Sequence, residues 1–173
     1  LAPRESGFIV TSNNQATGLL PIIADVQETI TPIEGSWNVY FDPRWGGPGK
    51  VVFDELIDWT VHADTGIRYY SGTAVYHKEL NLAIPAQNER LLLRFPRLGS
   101  LARVWVNGKE VVTVWCSPWE ADITSYVHEG KNNLKIEVVN SLMNRMIGDA
   151  SLPESERFTY AYPQIATPTD KLV

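Results

Sequence analysis

The sequence predicts an all-β domain, an antiparallel sandwich or barrel, and three observations carry that reading. Runs rich in β-branched and aromatic residues recur at short intervals, at residues 73–80, 90–95, 101–106, 110–115 and 133–139. Turn chemistry separates them, most clearly Asn107-Gly108, because a type I′ hairpin turn needs positive φ at both central positions and this dipeptide supplies it at little steric cost. No long segment carries an apolar stripe of period 3.6, so helices are expected to be short.

Taken in order, residues 1–34 hold three prolines and the polar run Ser12-Asn13-Asn14-Gln15, with a short apolar patch at Leu19-Leu20-Pro21-Ile22-Ile23. They are expected to form a linker or docking segment. The body spans residues 35–150. It opens with Trp37, Val39 and Phe41 alternating with Ser36, Asn38 and Tyr40, the period of a half-buried strand, until Asp42-Pro43 breaks it. Arg44-Trp45-Gly46-Gly47-Pro48-Gly49 excludes regular structure and leaves Trp45 on a loop. Residues 53–59 are expected to form a short helix or a turn. Ala102, Val104 and Val106 share one strand face, as do Leu134, Ile136 and Val138. Gly130-Lys131-Asn132-Asn133 is expected to be a turn. Residues 151–173 are a tail with an aromatic cluster at Phe158, Tyr160 and Tyr162, expected to wrap back onto the body and then fray. The predicted core comprises Trp37, Val39, Phe41, Leu91, Leu93, Phe95, Val104, Val106, Leu134, Ile136 and Val138.

Composition narrows the function. The 173 residues suffice for one domain and its tails but not for a catalytic barrel as well. A net charge of -5 with scattered basic residues gives no footprint for nucleic acid or an anionic membrane. No apolar run approaches the roughly 20 residues that span a bilayer. The single Cys116 allows no disulfide within the chain, and with no basic neighbour it is expected to be an inert, partly buried thiol. The start, Leu1-Ala2-Pro3-Arg4, has neither an initiator Met nor the layout of a signal peptide, which leads us to expect a processed or excised piece.

Catalytic patterns are weak throughout. His62, His77 and His128 lie apart with no zinc-ligand spacing, and there is no Gly-x-Ser-x-Gly elbow. Asp54, Glu55, Asp58, Asp64, Glu120 and Asp122 are formal candidates for a glycosidase carboxylate pair, but exposed acids are more often solvated charge. Asp122 is expected to cap the helical turn opened by Ile123-Thr124-Ser125. No cofactor is expected. The one metal weighed is a structural calcium, since β-sandwich modules often hold one with loop carboxylates and carbonyls, although no Asp-x-Asp-x-Asp loop is present. The 6 Trp and 7 Tyr suit both a sandwich core and stacking on flat apolar ligand faces. Pro118 interrupts pairing after the hairpin, so at least one of Trp115 and Trp119 is expected to leave the core at a sheet end.

Together and in order, several motifs carry a resemblance. They are Trp37-Asn38-Val39-Tyr40-Phe41-Asp42-Pro43-Arg44-Trp45-Gly46-Gly47-Pro48, Gly66-Ile67-Arg68-Tyr69-Tyr70-Ser71-Gly72-Thr73-Ala74-Val75-Tyr76 and Ala102-Arg103-Val104-Trp105-Val106-Asn107-Gly108-Lys109. Trp119-Glu120-Ala121-Asp122-Ile123-Thr124, the segment from Gly130 to Val138, and Asn144-Arg145-Met146-Ile147-Gly148-Asp149 complete the series. Over residues 35–160 the chain resembles the galactose-binding-like sugar-binding domain of glycoside hydrolase family 2, and still more the C-terminal β-sandwich of family 106 α-L-rhamnosidase-like enzymes. The resemblance implies an eight-stranded jelly-roll sandwich, with the catalytic carboxylates on a separate upstream (β/α)-barrel. One departure touches the ligand surface. Such domains tend to carry a basic or small residue and then Pro-Tyr or Pro-Phe after the tryptophan, where this chain reads Trp115-Cys116-Ser117-Pro118-Trp119.

Three functions are weighed. In a glycan-binding module, Trp45, Trp115 and Trp119 would form the stacking platform, with Arg68, Asn144 or Arg145 supplying hydrogen bonds that orient the sugar. In a structural module the same sandwich would buttress a glycoside hydrolase catalytic domain of the same polypeptide. A free-standing hydrolase is disfavoured by size and by the missing motif. The expected setting is periplasmic or extracellular.

Overall fold

The computed structural model describes residues 27–159, and the statements below concern those residues. The chain divides into two units, Leu1–Glu34 and Gly35–Val173. Within the first, residues 27–34 carry no helix or strand; the patch at residues 19–23 lies outside the described residues, as do Tyr160 and Tyr162.

The second unit contains eight strands: β1 (Trp37–Phe41), β2 (Gly49–Phe53), β3 (Thr73–Leu82), β4 (Leu92–Arg94), β5 (Leu101–Val106), β6 (Lys109–Val114), β7 (Glu120–Asp122) and β8 (Gly130–Val139). Two short helices accompany them, α1 (Thr65–Arg68) between β2 and β3 and α2 (Met143–Asp149) after β8. A six-stranded sheet in the order β2-β1-β3-β8-β5-β6 faces a two-stranded sheet, β4-β7, and every pairing is antiparallel. This is the jelly-roll sandwich of a galactose-binding-like domain.

Alternation in the sequence becomes alternation in burial. Along β1, Trp37, Val39 and Phe41 are buried while Asn38 and Tyr40 are exposed. The hairpin between β5 and β6 turns at Asn107 (φ 51°) and Gly108 (φ 78°), both left-handed, as a type I′ turn demands. Asn107 also reaches sideways. Its amide donates to the Tyr126 carbonyl (3.0 Å) and to Asn132 Oδ1 (2.8 Å), and its Oδ1 accepts from the Asn133 backbone N–H (2.9 Å).

Residues 130–133 are strand rather than turn. Gly130 is left-handed (φ 84°), and the buried Asn132 side chain donates to the carbonyls of His128 and Gly130. With the turn closed by a side chain, the backbone from Gly130 onward is free to pair with β3, and β3 and β8 run together from Thr73↔Val139 to Leu82↔Gly130. Two strands are absent from the sequence reading, β7 and β2, the latter taking Phe53 out of the expected helix or turn. β2 is an edge strand with one fully buried side chain, too short and too exposed to show a period.

Eight of the predicted core residues are buried: Trp37, Val39, Phe41, Leu93, Val104, Val106, Leu134 and Ile136. Leu91, Phe95 and Val138 are only half-buried; Leu91 and Phe95 flank β4, which is shorter than expected. Phe53, Ala74, Tyr76, Ala102, Val114, Ala121, Ile123 and Ile147 are buried as well, and the segment between β2 and β3 adds three more core residues. Trp59, Ile67 and Tyr70 fold onto the inner face of β1, where Phe41 meets Phe53, Trp59 and Tyr70 at centroid distances of 5.9, 5.3 and 5.0 Å. Polar atoms carried into this cluster are satisfied. Trp59 Nε1 donates to the Tyr76 hydroxyl (2.6 Å), and the Tyr70 hydroxyl accepts from the Asp42 N–H and donates to the Thr73 carbonyl.

Candidate functional site

Antiparallel pairing decides which loops can meet. Phe41 pairs with Gly49 and Ala74, Thr73 and Leu101 pair with Val139, and Ala102 pairs with Val114. The C-terminal ends of β1, β6 and β8 and the N-terminal ends of β2, β3 and β5 therefore share one end of the large sheet. From it spring the 42–48 loop, the entry to β3 after α1, the 115–119 loop and α2. Trp45, Arg68, Trp115, Asn144 and Arg145, distant in sequence, are gathered at this end.

Trp45 is 49% exposed and closes a 3-10 turn, Pro43–Trp45. Asp42 caps that turn by accepting from the Arg44 N–H (2.9 Å) and pairing with its guanidinium (2.6 Å), and these bonds hold the Asp42 carboxyl below the usual carboxylate range. Two glycines let the loop lie close over the core. Gly46 is left-handed (φ 75°), and a Cβ on Gly47 would come within 2.6 Å of Phe41 Cβ.

Trp115 is 70% exposed, the larger exposure of the two rings that flank Pro118. Its loop leaves the β6 edge and crosses to the small sheet, where the Phe95 N–H donates to the Trp119 carbonyl (2.8 Å) and Trp119 itself is half-buried. Cys116, expected to be partly buried, is exposed because this loop has left the sheet. Trp45 and Trp115 are not neighbours. Four strand intervals separate β1 from β6, about 19 Å at the usual spacing, so one sugar ring cannot contact both.

The expected hydrogen-bonding residues are placed differently. Arg68 is half-buried and its Nε donates to the His62 carbonyl (2.9 Å). Asn144 and Arg145 are buried rather than ligand-facing, because residues 143–149 form a helix whose inner side packs against the body. The Arg145 N–H donates to Ser71 Oγ (2.9 Å) and its Nε to the Tyr69 carbonyl (2.9 Å); burial lowers its pKa, with Asp149 opposing.

Four of the six acidic candidates have structural partners. Asp58 caps Thr60 and pairs with Arg97 (3.0 Å), Asp64 accepts from the Gly66 N–H (2.7 Å), and Glu120 pairs with Arg94 (3.1 Å). Asp122 accepts from the Thr124 N–H (3.0 Å) and hydroxyl and pairs with Arg90 (2.7 Å), so its pKa is lowered, chiefly by Thr124. Asp54 and Glu55 are exposed. Among the described residues no three His, Cys, Asp or Glu side chains converge as metal ligands, and no helix is long and apolar enough to cross a membrane.

A recess of about 500 Å³ opens on the outer face of the large sheet, lined by Asn38, His77, Glu79, Trp105, Asn133 and Lys135 among others. Its aromatic floor is already covered. Lys135 Nζ sits 3.6 Å from the Trp105 ring centroid and pairs with Glu137 (3.0 Å), which leaves that face of the indole closed to a sugar.

The sequence reading passed over Phe158 as a ligand-facing residue. It is 41% exposed and lies at the same end, its ring 3.0 Å from the position a Cβ on Gly46 would take. The aromatic cluster of the tail was the only signal, and chain order places it more than a hundred residues from Trp45.

Comparison with known proteins bears on all of this. Residues 20–161 match the family described as glycosyl hydrolases family 2, sugar binding domain. A putative β-glucuronidase of Formosa agariphila is 39% identical over 123 residues, covering 70% of this chain and 11% of that protein. The structure of a rhamnosidase from Novosphingobium sp. PP1Y superposes with a TM-score of 0.82 at 30% identity, over 89% of this chain and 15% of the rhamnosidase. A β-glucuronidase from Ruminococcus gnavus shares the fold, with a TM-score of 0.51 at 24% identity over 62% of this chain and 20% of that one. This chain spans only a small part of each of these proteins.

Proposed function

Because the chain belongs to the sugar-binding domain family of the family 2 glycosyl hydrolases, we propose that it is a non-catalytic, carbohydrate-associated module of an α-L-rhamnosidase-like glycoside hydrolase. Its working surface is the sandwich end that carries Trp45 and Trp115. The observation that carries this reading is the exposure of both indoles at one end of a sandwich whose core is otherwise rich in buried aromatics. An exposed indole loses little by waiting for a ligand and gains by covering the apolar face of a sugar ring. Tethered to a hydrolase, the module raises the local concentration of enzyme at its glycan. The proposed setting is periplasmic or extracellular.

The small share of each relative that this chain covers supports a second reading, in which the same end abuts the catalytic domain of the polypeptide. Titration separates the two. With rhamnose- and galactose-containing oligosaccharides, the glycan reading expects saturable binding that Trp45→Ala or Trp115→Ala weakens about three- to tenfold without unfolding the chain. No binding across a broad glycan panel leaves the docking role.

A further inference from the structure

Asp149 and Arg145 make a buried charged arrangement for which sugar stacking on Trp45 and Trp115 alone has no direct use. Their side chains are 3% and 7% exposed, and Arg145 Nη1 lies 3.8 Å from Asp149 Oδ1. Burying two charges is costly, and a well-packed apolar pair would often serve stability as well. What the carboxylate does instead is hold a piece of chain. Asp149 Oδ2 accepts from the Phe158 N–H (3.0 Å), the Thr159 N–H (2.7 Å) and the Thr159 hydroxyl (2.8 Å), which folds the segment after α2 back on itself.

That fold brings Phe158 to Gly46. The Arg145 guanidinium carbon lies 4.9 Å from the Phe158 ring centroid, and both Arg145 Nη1 and Phe158 Cζ stand 3.0 Å from where a Gly46 Cβ would be. Gly46 directly follows Trp45. Two partly exposed rings, one fixed by a capped turn and the other by a buried carboxylate, therefore flank a single glycine.

We propose that Phe158 is a second ligand-contacting ring beside Trp45, forming with it one aromatic rim for the apolar face of a sugar residue, and that Asp149 is the positioning residue that holds it there. This rests on the glycan-binding reading above. The arrangement explains why a charge is spent on a short return of the chain: three charge-assisted hydrogen bonds to one oxygen fix a path that apolar packing alone would leave free to slide.

The test uses the whole chain and the same oligosaccharides. Phe158→Ala is expected to weaken binding about three- to tenfold, and Phe158→Tyr to restore it. Asp149→Ala is expected to speed hydrogen exchange at the Phe158 and Thr159 amides and to weaken binding as much as Phe158→Ala. The double variant should be no weaker than either single one, because both remove the same ring. Thr159→Val, which removes one of the three bonds, keeps the test open should Asp149→Ala fail to fold; it is expected to loosen the same two amides and weaken binding in part. If glycan binds and Trp45→Ala weakens it while Phe158→Ala and Thr159→Val do not, the rim is Trp45 alone and the proposal is overturned with the broader reading intact. If the unaltered chain binds no glycan, both are overturned.

Discussion

At the scale of single residues, burial separates the six tryptophans into different uses. Trp37 and Trp59 build the core, Trp105 lies under Lys135, Trp119 is half-buried, and Trp45 and Trp115 face solvent. Trp115→Ala should therefore leave urea stability within about 0.5 kcal/mol of the parent while reducing glycan affinity; a large loss of stability would mean that the ring packs against the body. Tyr76 gives a pH prediction. Burial pushes its hydroxyl up to about 12, opposed by the bond from Trp59, so the folded state holds the proton more tightly than the unfolded chain does. Its contribution is complete below the ordinary tyrosine pKa of about 10 and is lost as pH rises toward 12, at most about 3 kcal/mol. Tyr76→Phe should cost about 1–3 kcal/mol at neutral pH, by leaving Trp59 Nε1 without an acceptor, and should flatten the alkaline limb. Chemical denaturation at pH 8, 10 and 11 would measure both effects.

At the scale of elements, side-chain amides do work that strand propensity does not reveal. Asn132 is buried with both amide atoms occupied, closing the turn before β8 and tying it to the β5–β6 hairpin through Asn107. Asn132→Ala should cost at least about 2 kcal/mol, because four hydrogen bonds made by one buried side chain go together. Asn107→Asp keeps a residue tolerant of positive φ but sets a carboxylate against the Tyr126 carbonyl and Asn132 Oδ1, so it should destabilise the chain while leaving the hairpin turn formable. Asn107→Gly keeps the turn and removes the bridge, so it should melt below the parent chain; a melt equal to the parent's would show that the bridge contributes nothing.

At the scale of the whole molecule, carboxylates set the acid limit. Asp42, Asp58 and Asp122 all have lowered pKa values, each mainly through hydrogen bonds from a residue two positions on, Arg44 or Thr60 or Thr124. A carboxylate held low in the folded state contributes stability above its ordinary pKa of about 4 and loses it as pH falls through the lower folded value. The melting temperature should hold from neutral pH to about 5 and decline below 4. A flat profile to pH 2 would count against these bonds in solution. Activity is the second test at this scale. The isolated chain should not cleave aryl rhamnosides or galactosides, and turnover abolished by replacing Asp54 or Glu55 would sink the non-catalytic reading.

The sequence by itself determined the fold class, the course of β1 and β5, the hairpin at Asn107-Gly108 and the apolar core faces of β1, β5 and β8. Those features are local: a period of two and a turn dipeptide act within a few residues, so they can be read without knowing what lies opposite. Tertiary structure alone decided the rest. It made β2 a strand by giving it β1 as a partner, made residues 130–133 a strand by letting Asn132 close the turn, and buried Asn144 and Arg145 by winding them into α2. It also set Trp45 and Trp115 at one end but on opposite flanks, and brought Phe158 to Gly46. Strand order and chain return are long-range pairings whose loop entropy grows only slowly with separation, so distance along the chain says little about which loops share an end of the sheet.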